Sequence, residues 1–233
     1  MKHVLCNTRN VKEADAKLQY LLTRPRSEMV GLGLFYGAPG TGKTRYAMRT
    51  AFSQGYIYMR LEAAMTQRGF LHKLHRSLQY LYSMPNPMKG NTQHVYDEVL
   101  DMLIAAPETV IFIDEIDYAF RHKAILGTIR DLVDQSLVTI ILFGMQDAKN
   151  QLLALNAHYF DRCNAFAEFT NLSLEDTTLI CKEASEVEMD SDTVKWVQKA
   201  GKGCARQIVK TVDWIERQAK AKGLKNVKLG DLQ

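Results

Sequence analysis

The segment Gly37-Ala-Pro-Gly-Thr-Gly-Lys43-Thr44 restricts what this chain can fold into more than any other. It follows the apolar run Gly31-Leu-Gly-Leu-Phe-Tyr36 and precedes a stretch of helical spacing with Ala47, Met48, Ala51 and Phe52 on one face. Strand, glycine-bent loop and helix in that order match the phosphate-cradling pattern G-x-x-x-x-G-K-[ST]. Glycines let consecutive backbone N–H groups turn towards one polyphosphate. The helix start behind them adds unpaired donors and a partial positive charge. The pattern assigns phosphate contacts to Gly37, Ala38, Pro39, Gly40, Thr41, Gly42, Lys43, Thr44 and Arg45. Within it the Lys43 ammonium reaches the β- and γ-phosphates, and the Thr44 hydroxyl ligates Mg²⁺.

About seventy residues further on, Val110-Ile-Phe-Ile-Asp114-Glu115 is an apolar run ending in two acids. A buried parallel strand delivers its last residues to the edge where ligands bind. Asp114 is the expected metal-shell carboxylate, and Glu115 the group that polarises an attacking water. The second carboxylate favours hydrolysis over binding alone, so ATP and Mg²⁺ are the expected cofactors.

The rest of the pattern supplies a scaffold. A leading helix is expected over 9–23, strands at Tyr56–Leu61, Thr109–Ile113, Leu137–Phe143 and Ala165–Phe169, and helices near 43–54, 66–82 and 121–134. Arg24-Pro25-Arg26-Ser27 breaks the leading helix, and Pro85–Asn91 reads as a loop. The helix of 66–82 turns Phe70, Leu71, Leu74, Leu78 and Leu81 inward; a following one does the same with Val95, Val99, Leu103 and Ile104. Continuous apolar strands alternating with helices predict an α/β fold, a parallel sheet sandwiched by helices. After Asn171 the pattern is purely helical, with Ser173 and Asp190 as helix starts. The expected division is 1–171 for the nucleotide domain and 172–233 for a small helical lid.

The longest apolar runs are strand-sized, no secretory leader is visible, and the four cysteines lack metal-ligand or redox spacing. A cytoplasmic protein without a membrane partner is expected. Net charge is +4, but Lys195–Lys228 holds ten Lys and Arg against two acids, leaving −4 for the rest. Such a basic stretch suits phosphate-bearing partners or is a solvated helical face.

The blocks Gly37–Thr44, Ile111–Asp117, Leu142–Gly144, Phe160–Arg162 and Gly203–Arg206 resemble those of the AAA+ ATPases. The likeness is to the phage Mu B-type and transposon helper ATPases. It implies a P-loop AAA+ sheet with a lid, and two further roles. Arg162 would be an arginine finger given to a neighbouring subunit's ATP, and Arg206 would read the γ-phosphate within its own subunit. Both suit a guanidinium, which pairs bidentately with phosphate oxygens. Met145 stands after Gly144 where the family has a small polar residue, so Gln146 or Asp147 would position water.

The resemblance also implies partners: duplex DNA, a transposase, and other copies of the chain in a ring or helical filament. The chain starts almost at the nucleotide domain, so DNA contact is expected from that body and the basic lid. Arg68, Lys73, Arg76, Arg121, Lys123, Lys202, Lys210, Lys220 and Lys222 are the candidates, touching phosphates without reading sequence. Two alternatives stay open: a helicase-loader-type replication ATPase, and a nucleotide-switched scaffold with negligible turnover.

Overall fold

The computed structural model describes residues 2, 4–83, 90–155 and 161–232. Most of the Pro85–Asn91 loop and Phe160 lie outside them. The chain forms two compact units: Ala16–Tyr36 with Ala47–Ala167, and Met1–Asp15 with Gly37–Tyr46 and Glu168–Gln233.

The first unit is built on a five-stranded sheet. Its strands are β1 (Gly31–Gly37), β2 (Ile57–Arg60), β3 (Val110–Asp114), β4 (Thr139–Gly144) and β5 (Cys163–Phe169), in the order β2-β3-β4-β1-β5. Parallel pairing sets Gly31 opposite Thr139, Val110 opposite Thr139, and Arg60 opposite Asp114. Every residue of β3 and β4 is buried, as a sheet covered on both faces requires. The register stacks aromatic rings across neighbouring strands. Phe35 meets Phe143 edge-on at 5.5 Å, Phe143 meets Phe112 at 5.3 Å, and Phe112 meets Tyr56 at 5.6 Å.

Helices α1 (Arg9–Leu22), α2 (Lys43–Gln54), α3 (Gln67–Tyr82), α4 (Thr92–Ala105), α5 (Asp117–Phe120), α6 (Lys123–Ser136) and α7 (Ala148–Leu155) alternate with the strands. Thr66 and Asn91 cap α3 and α4 by accepting from the Gly69 and His94 N–H groups. Phe70, Leu71, Leu74 and Leu78 of α3 share one core with Val99 of α4 and Ile129 of α6.

The expected apolar stripe of α2 is corrected. Ala47 and Ala51 are buried, whereas Met48 is 52% and Phe52 89% exposed. Each helical residue turns about 100°, so the inward stripe closes on the Tyr46–Ala47–Thr50–Ala51 side and leaves Met48 and Phe52 beyond it. Leu81 and Ile104, also expected inside, are exposed at the last turns of α3 and α4.

The second unit carries α8 (Leu174–Ala184), α9 (Ser191–Gly201) and α10 (Ala205–Ala221). Its core is Leu172, Ile180, Val194, Val197, Ile208, Val212 and Ile215 with their neighbours. Ser173 and Asp176 close a capping box on α8, and Asp190 caps α9. The tail is not purely helical. Strands β6 (Glu188–Met189) and β7 (Asn226–Val227) pair in parallel, and two residues are too few to show an alternation in sequence.

Arg24, expected only to help break a helix, is 6% exposed. Its guanidinium donates to Met29 O (2.8 Å), Leu21 O and Thr139 Oγ1 (both 2.7 Å), Leu137 O (2.6 Å) and Val138 O (3.0 Å). These bonds tie the end of α1 to the start of β4. Gly31 makes room for them: a Cβ there would lie 2.2 Å from Arg24 Nη2 and 2.4 Å from Val138 O. Arg24→Ala would orphan several carbonyls at once, so its urea midpoint should fall, reporting a loss of about 2–4 kcal/mol of stability. Gly31→Ala should move the same way, and an unchanged midpoint in both would refute the tie.

In the helical unit Glu216 is buried, which disfavours its charge. Lys220 at 2.8 Å and the Glu186 N–H at 3.0 Å are among the groups that outweigh that and hold its carboxyl at about 2, below the ordinary 4.5. A depressed carboxylate stabilises the fold above its unfolded value, and that contribution is lost as pH falls through the folded one. Thermal melts should therefore show stability declining from about pH 4.5 towards 2. Glu216→Gln should flatten that decline; an unaltered slope would remove Glu216 from the account.

Candidate functional site

The loop between β1 and α2 has a backbone that only glycine tolerates at its bends. Gly37, Gly40 and Gly42 take φ of 155°, 82° and 107°. A Cβ on Gly37 would lie 2.1 Å from Phe169 O, so strand and loop meet backbone to backbone. A Cβ on Gly40 would lie 2.7 Å from Cys204 Sγ, whereas one on Gly42 would enter open space. The Thr41 hydroxyl pins the loop by donating to Ala38 O at 2.9 Å. Lys43 is buried, and its ammonium donates to Gly37 O at 2.7 Å and Ala38 O at 3.0 Å. Thr44 and Pro39 are exposed. The first-turn N–H groups of α2 have no carbonyl behind them, as at any helix start. Open space beside Gly42, a buried lysine and an exposed hydroxyl fit a polyphosphate with its metal. Arg45 instead donates to Val4 O at 2.7 Å.

Arg206 opens α10 beside this loop. Its N–H donates to Gly40 O at 3.0 Å, and its Nε lies 3.9 Å from where a Gly40 Cβ would be. Gly203 (φ 73°) is required because a Cβ there would meet Asn171 Cβ at 2.9 Å and Leu172 O at 3.0 Å. The block Gly203–Arg206 thus has a local cause: it turns the chain so that α10 starts against the loop.

At the end of β3, Asp114 is 3% exposed and doubly bonded. Tyr58 Oη donates to Oδ2 and the Glu115 N–H to Oδ1, each at 2.9 Å. Burial and then the Asp114 charge push the Tyr58 phenol well above its usual range, so it stays a proton donor. Glu115 is left-handed at φ 59°, a conformation a non-glycine residue adopts at a cost. It is ion-paired: Arg60 Nη2 lies 3.0 Å from Glu115 Oε1. Ile116 N–H then reaches Phe143 O, and Asp117 Oδ2 accepts from Met145 N–H at 2.9 Å, joining the ends of β3 and β4. Gly144 is forced by the same crowding, since a Cβ would sit 2.5 Å from Ala148 Cβ.

Asp117 ended the block Ile111–Asp117 with no role assigned to it, and Tyr58 and Arg60 were not identified from sequence. Their signal lay in register: β2 aligns Tyr58 with Phe112 and Arg60 with Asp114. Gln146 is exposed. The Asp147 carboxylate, just before α7, accepts from Asn150 and Gln151 of that helix. Arg162 Nε lies 2.9 and 2.7 Å from the two Asp134 oxygens.

The candidate DNA-contacting residues differ in availability. Arg76, Arg121, Lys123, Lys202 and Lys210 are exposed. Arg68 donates to His72 and Gly90, and Lys73 to Arg60 O and Glu62. Lys220 bridges Glu186 and Glu216, and Lys222 donates to Asp231 O. Part of the basic tail is thus neutralised internally. Among the described residues no helix is long and apolar enough to cross a membrane.

A family model described as AAA domain matches residues 28–152, more than half of the chain. The Protein CfxQ homolog of Pyropia yezoensis is 31% identical over 163 residues, 68% of this chain and 48% of that protein. The chain thus spans about half the length of this curated relative. Among solved structures, the Aeropyrum pernix ORC1 protein in complex with DNA is 18% identical with a TM-score of 0.66, covering 99% of this chain and 64% of that one. The Thermotoga maritima RuvB Holliday junction branch migration motor is 17% identical with a TM-score of 0.62, covering 97% and 67%. Identity that low speaks for the fold, a P-loop AAA+ sheet flanked by helices. Phosphate loop, sheet order and sequence match point the same way, and the chain belongs to the AAA domain family.

Proposed function

We propose that this protein is a Mg²⁺-dependent ATPase that assembles on duplex DNA when ATP is bound, and that it acts in the cytosol to target or activate a transposase. The observation that carries the nucleotide part is the loop: an open glycine bend above a buried lysine, with Arg206 at its side. In this reading residues 1–171 form the nucleotide domain and 172–233 the lid. Loop N–H groups and Lys43 hold the phosphates, while Thr44 and Asp114 hold the magnesium. The metal, when bound, neutralises phosphate charge as the terminal phosphoryl group leaves. Glu115 accepts a proton from the attacking water, and it must first leave Arg60. Gln146 helps position that water. Arg206 reads the γ-phosphate, and Arg162 serves a neighbouring copy once it leaves Asp134.

The DNA part rests on exposed cations and on two proteins of the same fold, the Aeropyrum pernix ORC1 protein in complex with DNA and the Thermotoga maritima Holliday junction branch migration motor. The transposition part rests on the short sequence blocks alone. The likeness to ORC1 supports a second reading, a replication-type loader. Co-purification with a transposase or with a replicative helicase separates the two.

Glu115→Gln should lower ATP turnover by about 10²–10⁴-fold, the range of a general base, while ATP uptake and ATP-dependent assembly persist in sedimentation. Lys43→Ala should abolish uptake in calorimetry. Turnover unchanged in Glu115→Gln would end the catalytic assignment. Duplex affinity, read by anisotropy, should fall log-linearly with salt at a slope near −0.9 per neutralised phosphate. Replacing Arg76, Arg121 and Lys202 together with alanine should flatten that slope; a flat response in the unmodified protein excludes phosphate tracking.

A further inference from the structure

The chain has only two tryptophans, and both stand together on the surface of the helical unit. Trp196 of α9 is 36% exposed and Trp214 of α10 is 43% exposed. Their ring centroids are 6.4 Å apart and the planes are tilted by 40°. Lys210 and Thr211 complete the lining of an open cleft of about 280 Å³. Leaving large aromatic faces in water costs hydrophobic stabilisation that burial in the adjacent core would have supplied. The core beneath does not need them: Val194, Val197, Val212 and Ile215 already fill it.

The surrounding charge identifies an occupant. Lys210 lies one turn from Trp214, and Lys199 lies three residues from Trp196 on the same side of α9. Neither lysine side chain has a hydrogen bond or ion pair among the described residues, whereas nearby Lys195 and Arg217 are paired with Asp192 and Asp213. Two flat aromatic faces are therefore flanked by two unneutralised ammonium groups. A nucleotide presents a planar face and an anionic phosphate in every unit, so each repeat matches both features. An acidic peptide would have to supply an apolar anchor and carboxylates from separate residues. In a duplex the base faces are stacked on each other and cannot reach a tryptophan.

We infer that Trp196, Trp214 and Lys210 form a stacking site for unpaired bases of single-stranded nucleic acid, with Lys199 contacting the adjoining phosphate. The site stands apart from the nucleotide loop and needs no ATP; of the candidate duplex contacts it shares Lys210 alone.

Because both tryptophans lie in the cleft, fluorescence excited where only tryptophan absorbs reports on this site alone. The full chain, without ATP, would be titrated with oligothymidylate, with a blunt duplex of equal length, and with a leucine-containing polyglutamate peptide. Oligothymidylate should quench the emission at concentrations at least fivefold below those the duplex needs. Trp214→Ala should weaken single-strand binding, read by anisotropy, on the order of tenfold, as loss of one stacked base does. Lys210→Glu keeps both reporters and should weaken it comparably, while helicity by circular dichroism stays that of the parent. Equal quenching by duplex, no quenching by oligothymidylate, or tighter binding of the peptide would each overturn the inference, the last in favour of a protein partner. Duplex anisotropy and ATP turnover on the same samples keep its failure distinct from failure of the ATPase reading.

Discussion

A carboxylate buried at the end of a sheet strand is the constraint around which the sheet edge is arranged. Asp114 is 3% exposed, and an ionised carboxylate removed from water costs several kcal/mol unless its oxygens are satisfied. One partner is the Tyr58 hydroxyl, which can arrive only if β2 pairs with β3 in the observed register. The other is the Glu115 N–H, aimed back at the carboxylate where Glu115 takes φ 59°. That conformation costs on the order of 1–3 kcal/mol for a residue with a side chain. It is held by what surrounds it, since Ile116 N–H reaches Phe143 O immediately afterwards. Strand pairing, strain and the aim of Glu115 are thus parts of one solution.

The loop poses the complementary problem, close approach of backbone to backbone. Gly37 lies against the Phe169 carbonyl, and Gly40 against Cys204 and the first turn of α10. The Arg206 N–H is spent on Gly40 O, so that helix start is already coupled to the loop by a main-chain bond. Any rearrangement of Gly40 must break or carry that bond. If ATP binding moves the loop, as the proposed function requires, α10 would feel it through that main-chain bond without a side-chain relay.

Much of this was legible in the sequence because it depends on local chemistry. The strand–loop–helix of Gly31–Gln54, the buried run ending in Asp114, and the caps Ser173 and Asp190 follow from residue type and short spacing. What was not legible depends on pairing between distant segments. Arg24 reads as a helix breaker until Thr139 and Val138 are brought beside it. Arg60 has no role in the strand Tyr56–Leu61 until its neighbour proves to be Asp114. The stripe of α2 failed for a different reason: Met48 and Phe52 are apolar but stand on the flank of the buried stripe, and hydrophobicity alone does not distinguish flank from face.

Two of the charged groups central to the proposed chemistry are held by neighbours of opposite sign. Glu115 pairs with Arg60, whose side chain is 56% exposed, and Arg162 pairs with Asp134 at 33% and 27% exposure. Pairs this open to solvent contribute about 0–1 kcal/mol, whereas a guanidinium on a phosphate gains charge-assisted, bidentate bonds. Such contacts keep the side chains oriented and are weak enough to be exchanged for a phosphate. The Asp134 carboxylate already offers Arg162 two oxygens at hydrogen-bonding distance, much as a phosphate would. Were Arg162 to serve a neighbouring copy as proposed, it would lose little in changing partners, and the cost of assembly would fall on bringing that copy into place.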